Sequence, residues 1–238
     1  MATPELSAQS TSARAEERGA ALALLPIAAT IDFYALPEWL QAQTMIQFVP
    51  QLIAYLAFAL WAAHNRMILA RFGLERHKLR QGLRLGLLTG LALGGLNTFV
   101  ILRVFPGMGH DITFLKQTPH AQLPWFVMVP WFITGISLFV ELNFRGFLLG
   151  RLAALEAGLW PNPATRRLAP LALLTSALVF SFDHFMVATF QDLHWIALWD
   201  GLVWGLLWLR TGNLHVTIVA HTIEVIVMYS AVRSALMA

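Results

Sequence analysis

What most constrains this chain is a series of apolar runs, each close to the length needed to cross a lipid bilayer. A helix requires about 20 mostly apolar residues to span the hydrocarbon core. Seven runs approach that length, at 20–36, 45–63, 85–104, 126–150, 170–190, 195–210 and 213–232. The first and sixth are short, and each carries an acid, Asp32 and Asp200. The fourth belongs to a longer apolar stretch from Pro124 to Leu155, where Pro130 is a candidate break between an interfacial lead-in and the span. Only 12% of the 238 residues are charged, against about 25% in an ordinary soluble domain. So few charges cannot cover a water-facing surface, which excludes both a soluble globular domain and a disordered chain. The expected fold is all-α, a multi-pass transmembrane bundle of about seven spans forming one domain over 20–238. Cysteine is absent, so no disulfide, thiolate nucleophile or Cys-ligated zinc is available.

The net charge of +3 acquires its meaning from where the basic residues fall. Arg14 and Arg18 lie before the first run, and Arg66, Arg71, Arg76, Lys78, Arg80 and Arg84 between the second and third. Arg145, Arg151, Arg166 and Arg167 follow or end the fourth, and Arg210 ends the sixth. These alternate segments hold 13 of the 16 basic residues, and only Arg103, Lys116 and Arg233 lie on the other side. By the positive-inside rule the N-terminus is expected in the cytoplasm and the C-terminus outside. The basic balance is thus a topology signal and a contact for anionic lipid headgroups, and nucleic acid is not an expected partner. Residues 1–19 are polar and mixed in charge, as in a disordered tail, and lack the basic-then-apolar order of a cleaved signal peptide.

Small residues mark helix contacts. Gly82, Gly86, Gly90 and Gly94 recur every four residues, and Gly201 and Gly205 repeat the spacing in the sixth run. Such faces let helix backbones approach closely, and packing within this one chain is the expected use. Trp195, Trp199, Trp204 and Trp208 read as interfacial anchors and bundle filling.

Ionisable groups inside a bilayer are costly, about 2.5–3.5 kcal/mol each on insertion scales, so those retained usually face a polar interior. They concentrate in three runs. Glu141 and Arg145 stand four apart in VELNFRG, on one helix face where they can pair. His184 follows Asp183 in FSFDH and shares a face with Phe180, and HTIEV sets His221 and Glu224 three apart. Two carboxylates and two histidines at mid-membrane depth suit water activation and hydrolysis. They equally suit a structural ion pair, a metal site or proton-coupled transport. The loop residues His110, Asp111, His120, Asp192 and His194 read as exposed polar positions.

In order and framing, these segments resemble the motifs of the CAAX-protease and bacteriocin-processing (CPBP, or Abi) family of intramembrane endopeptidases, which includes the type II CAAX prenyl proteases. The family pattern is Glu-Glu, three residues and Arg-Gly, then Phe, three residues and His, then a TG-L turn leading to a further His. Here Glu141, Phe144, Arg145 and Gly146 match the first motif, Phe180 and His184 the second, and Thr211, Gly212 and His221 the third, within a core of about 124–232. Two positions depart. Val140 replaces the first Glu, the residue usually assigned to water activation, and Val225 stands where an Asn often assists oxyanion binding.

The resemblance implies an intramembrane endopeptidase acting on a peptide or membrane protein, with Glu141, His184 and His221 catalytic and Arg145, Glu224 and Phe180 supporting. No cofactor is expected. The alternative is a divalent metal such as zinc on Glu141, His184, His221 and Glu224. A homologue without catalysis, acting as a membrane binding or immunity protein, is the second functional reading, and a proton-coupled transporter the third.

Overall fold

The structure is a computed structural model, and it describes residues 18–160 and 168–237. The polar tail expected over 1–19 falls almost wholly outside the described residues, as do Arg166 and Arg167. Every element among the described residues is helical, in keeping with the all-α expectation. In chain order the principal helices are α1 (Leu24–Ala35), α2 (Val49–His64), α3 (Leu79–Phe99) and α4 (Trp125–Leu159). They are followed by α5 (Pro170–Ser181), α6 (His184–Phe190), α7 (Ile196–Thr211) and α8 (Leu214–Met237).

Seven spans are more than length and composition support. Among the described residues four helices are long and apolar enough to cross a membrane, or five if the α5–α6 pair, bent by 53°, is one broken span. α1 and α7 form where the apolar runs lie, but they contain 12 and 16 residues, short of the ~20 that a perpendicular crossing needs. The large apolar side chains of α2, α3 and α4 that face outward, such as Leu52, Leu88 and Phe139, are what a lipid-facing surface requires.

Pro130 does not divide α4. The helix runs through it because residues Met128–Gly135 take the wider π-helical winding, as do Leu142–Leu149. The wider winding accommodates the missing proline N–H and places the second π segment directly after Glu141. Such segments often accompany functional sites.

The glycine stripes do pack within the chain. Gly82, Gly86, Gly90 and Gly94 lie against His215, Val219, Ile223 and Val227 of α8, so that α3 and α8 form the most extensive helix pair. A Cβ at Gly90 would sit 2.6 Å from the Ala220 carbonyl oxygen and 2.8 Å from the Ile223 Cβ, whereas one at Gly95 meets nothing within 4 Å. Gly90→Ala is therefore expected to destabilise the protein by about 1–3 kcal/mol through overpacking. Gly95→Ala should be neutral or slightly stabilising, since alanine is the better helix former by up to about 1 kcal/mol. Unfolding in mixed micelles compares the two, and equal effects would remove the close-packing account.

The turn of the third motif sets the site. Gly212 closes α7 with φ 54°, and the Asn213 side chain caps α8 by accepting from the His215 N–H at 3.1 Å. A glycine at the left-handed position and an Asn cap end one helix and start the next within two residues. α7 and α8 thus run antiparallel, and residues equidistant from the turn become neighbours.

Candidate functional site

Motif 1 contributes a buried ion pair. Glu141 and Arg145 are 0% and 1% exposed, with Arg145 Nη1 3.2 Å from Glu141 Oε1. His221 reaches the same oxygen, its Nδ1 at 3.0 Å. A carboxylate only accepts, so Nδ1–H is the donor and the lone pair of the neutral ring lies on Nε2. The Arg145 guanidinium stands over the Phe180 ring, 4.4 Å from its centroid, and 5.0 Å from that of Trp204. Trp204 in turn stacks on His221, with ring centroids 4.4 Å apart. The packing follows from the hairpin, since Trp204 is eight residues before Gly212 and His221 eight after Asn213. Glu141, Arg145, Phe180 and His221 are therefore brought together as the motifs implied, around a tryptophan read from the sequence as filling.

A second polar centre lies one turn further from the hairpin. Asn97 of α3 donates from Nδ2 to both oxygens of Asp200, at 3.2 and 3.1 Å, and to Glu224 Oε1 at 2.6 Å. Trp199 Nε1 donates to Asn97 Oδ1 at 2.9 Å. An indole can only donate, so this contact fixes which end of the amide meets the carboxyls. Asp200 and Glu224 thus accept from the same amide nitrogen, which sets their carboxyl groups side by side. Two carboxyl groups in contact do not both ionise readily, and a shared proton relieves the repulsion. Glu224 was singled out in the sequence and Asp200 was marked there as the acid of the short sixth run; Asn97 was not marked, and the contact among the three was not foreseen. Counting from the turn would have found Asp200, twelve residues before Gly212, opposite Glu224, eleven after Asn213.

Both centres border one cavity of about 360 Å³. His221, Asp200, Glu224 and Asn143 are on its wall, as are Val140, Asp183 and Trp204, and most of the remainder is apolar, including Phe132, Ile136, Phe144 and Met186. Glu141 is not on the wall; it is enclosed behind His221. Asp32, the acid of the first short run, is exposed and is not on this wall.

His184 stands apart from this arrangement. The chain breaks between Ser181 and His184, and Asp183 caps α6 by accepting from the Phe185 N–H at 3.0 Å. Asp183 also accepts from Gln51 Nε2 at 2.7 Å. The break turns the His184 ring against Phe33 of α1, with centroids 4.7 Å apart, and against Phe185. Its partners do not include Glu141 or His221, and it is absent from the cavity wall.

The four residues named as alternative metal ligands do not converge as a set. Among the described residues no group of three or more His, Cys, Asp or Glu is placed to hold a metal ion. Glu141 is already engaged by Arg145 and His221. Two of the basic residues also change their meaning: Arg145 and Arg151 are buried, the latter 4.1 Å from the Trp61 ring centroid. Without them the charge bias remains eleven to three.

Residues 120–227 match the family model described as Type II CAAX prenyl endopeptidase Rce1-like. The matched segment is nearly the core of about 124–232 outlined by the three motifs, and its description agrees with the type II CAAX prenyl proteases that those motifs resemble. No curated protein and no solved structure matches the chain.

Proposed function

We propose, for a membrane protein whose residues 120–227 are of the Rce1-like type II CAAX prenyl endopeptidase family, that it hydrolyses a peptide bond within or beside the bilayer, with His221 as the base. The observation that carries this is His221 itself, held through Nδ1 by a buried carboxylate while lining an apolar cavity. In the proposed reaction Nε2 takes a proton from water as the water oxygen bonds to the substrate carbonyl carbon. The imidazolium then returns that proton to the amide nitrogen as the C–N bond breaks. Glu141 holds the ring in the required tautomer and stabilises the imidazolium, and Arg145 balances the buried carboxylate. Protonated, the Asp200–Glu224 pair supplies an O–H toward the developing oxyanion, a role an ionised carboxylate could not fill.

This assignment places water activation on His221, since Val140 occupies the place of the family's first Glu. His184 serves the other side of the helix break, next to the cavity-lining Asp183. The substrate enters with an apolar or lipidated end in the apolar part of the cavity. The tally of basic residues supports a cytoplasmic N-terminus.

The test is release of a labelled fragment from a prenylated peptide ending in a CAAX sequence, reconstituted with the protein in liposomes. Wild type is expected to cleave it, and Glu224→Leu, which has no donor for the oxyanion, to be slower by about tenfold or more. No cleavage by folded protein overturns the proposal. A second reading, loss of catalysis with the fold retained, is favoured by Val140, whose side chain lies on the cavity wall. If wild type is inactive and Val140→Glu cleaves the peptide, the chain is a decayed enzyme.

A further inference from the structure

Asn143 lies at the centre of VELNFRG, two residues beyond Glu141, within the π segment of α4. It is 5% exposed and lines the cavity. Its Oδ1 is buried without a hydrogen-bond partner, and its side chain makes no hydrogen bond among the described residues. A primary amide left so in a membrane bundle is costly, because nothing replaces the water it has given up.

The contrast with Asn97 is informative. That asparagine, fully buried, has its amide nitrogen and its oxygen engaged by Asp200, Glu224 and Trp199. The bundle therefore satisfies an asparagine that serves its packing. A second orphan belongs to a residue of the same wall, since the buried Trp204 Nε1–H has no acceptor among the described residues. Both residues line one cavity, with the unpaired Asn143 Oδ1 and Trp204 Nε1 covered just beneath its wall, beside the imidazole on which Trp204 stacks. A peptide main chain offers the complement, with one N–H and one C=O in each unit.

We propose that Asn143 is a binding residue for the substrate main chain. Its amide pairs with the N–H and C=O of an extended segment in the cavity, and Trp204 Nε1–H donates to a neighbouring carbonyl. The segment is thereby held with its peptide plane next to His221. The proposal rests on the peptidase reading above and specifies how that site takes its substrate: through the backbone, so that side-chain identity matters little at the clamped unit.

The test uses a fluorescent prenylated CAAX peptide and a copy N-methylated at the peptide nitrogens flanking the expected scissile bond. Binding to liposome-reconstituted protein and cleavage are measured separately. Asn143→Leu, of similar size and without polar atoms, is expected to raise the melting temperature while weakening binding about tenfold, the loss of two neutral hydrogen bonds. N-methylation should weaken binding to wild type by a similar factor and leave Asn143→Leu unaffected. Asn143→Gln, which retains the amide one methylene away, should recover part of the affinity. A destabilised Asn143→Leu protein, or equal binding by wild type and Asn143→Leu, overturns the clamp. Binding that depends on Asn143 without cleavage would retain the clamp and overturn the peptidase reading. Cleavage indifferent to Asn143 does the reverse, and failure of wild type to bind either peptide overturns both.

Discussion

Arg145→Met is expected to destabilise the protein by about 3–5 kcal/mol, the range for breaking a fully buried ion pair from one side. The guanidinium is 1% exposed and 3.2 Å from Glu141, whose carboxylate is wholly enclosed. Removing it leaves that charge with the His221 imidazole and the Thr217 hydroxyl but no cation to balance it. The guanidinium also stands over Phe180 and Trp204, and a desolvated cation–π contact contributes as much as about 2 kcal/mol. Methionine fills much of the volume, so the loss reports charge more than cavity. The double variant Arg145→Met with Glu141→Gln is expected to recover much of the stability, because replacing both members of a buried pair is often close to neutral. Denaturant unfolding in mixed micelles measures all three proteins. A single-variant effect below about 1 kcal/mol, in the range of an exposed ion pair, would mean that water reaches the pair. The recovered double variant should nonetheless be inactive, since an imidazole without its carboxylate loses its fixed tautomer.

The parts of this site differ in how openly the sequence displayed them, and the reason is the range over which each is specified. Glu141 and Arg145 are neighbours on one helix, so their spacing alone predicted the pair. The glycine stripe was equally local, and its partner α8 was the only part the sequence left open. His221 with Glu141 joins α8 to α4, and only the family motifs announced it. Asp200 looked like a single acid near an uncertain helix end until the Gly212–Asn213 turn paired its helix with that of Glu224. Asn97 and Asn143 had no pattern to mark them, because an isolated asparagine in an apolar run has the same appearance whether it is bonded or not. His184 followed its motif, but a periodicity argument treats 170–190 as one helix. The break at Phe182–Asp183, set by an Asp cap, rotates the histidine toward Phe33. The count of about seven spans exceeds what helix length supports for a related reason: hydropathy registers α1 and α7, while their lengths depend on where the backbone leaves the helix.

His221→Ala is expected to lower kcat by about 10²- to 10⁴-fold, the usual contribution of a positioned general base, with little change in KM. The protein should remain folded, because Glu141 keeps Arg145 when the imidazole is removed. His184→Ala supplies the discriminating comparison. If the chemistry proceeds through the Glu141–His221 pair, His184 acts only through the α6 end of the cavity, and its removal should cost less than about tenfold. A mechanism in which Glu141 and His184 activate water together predicts the opposite order. It would require α6 to move, since His184 packs on Phe33 and Phe185 and does not reach Glu141. The double variant separates these possibilities further. Residues that act as one unit are strongly non-additive, so His184→Ala in the His221→Ala background should add its own small factor if the two act separately. If it adds nothing, while each single variant is severe, the two histidines share one step and the base must be reassigned.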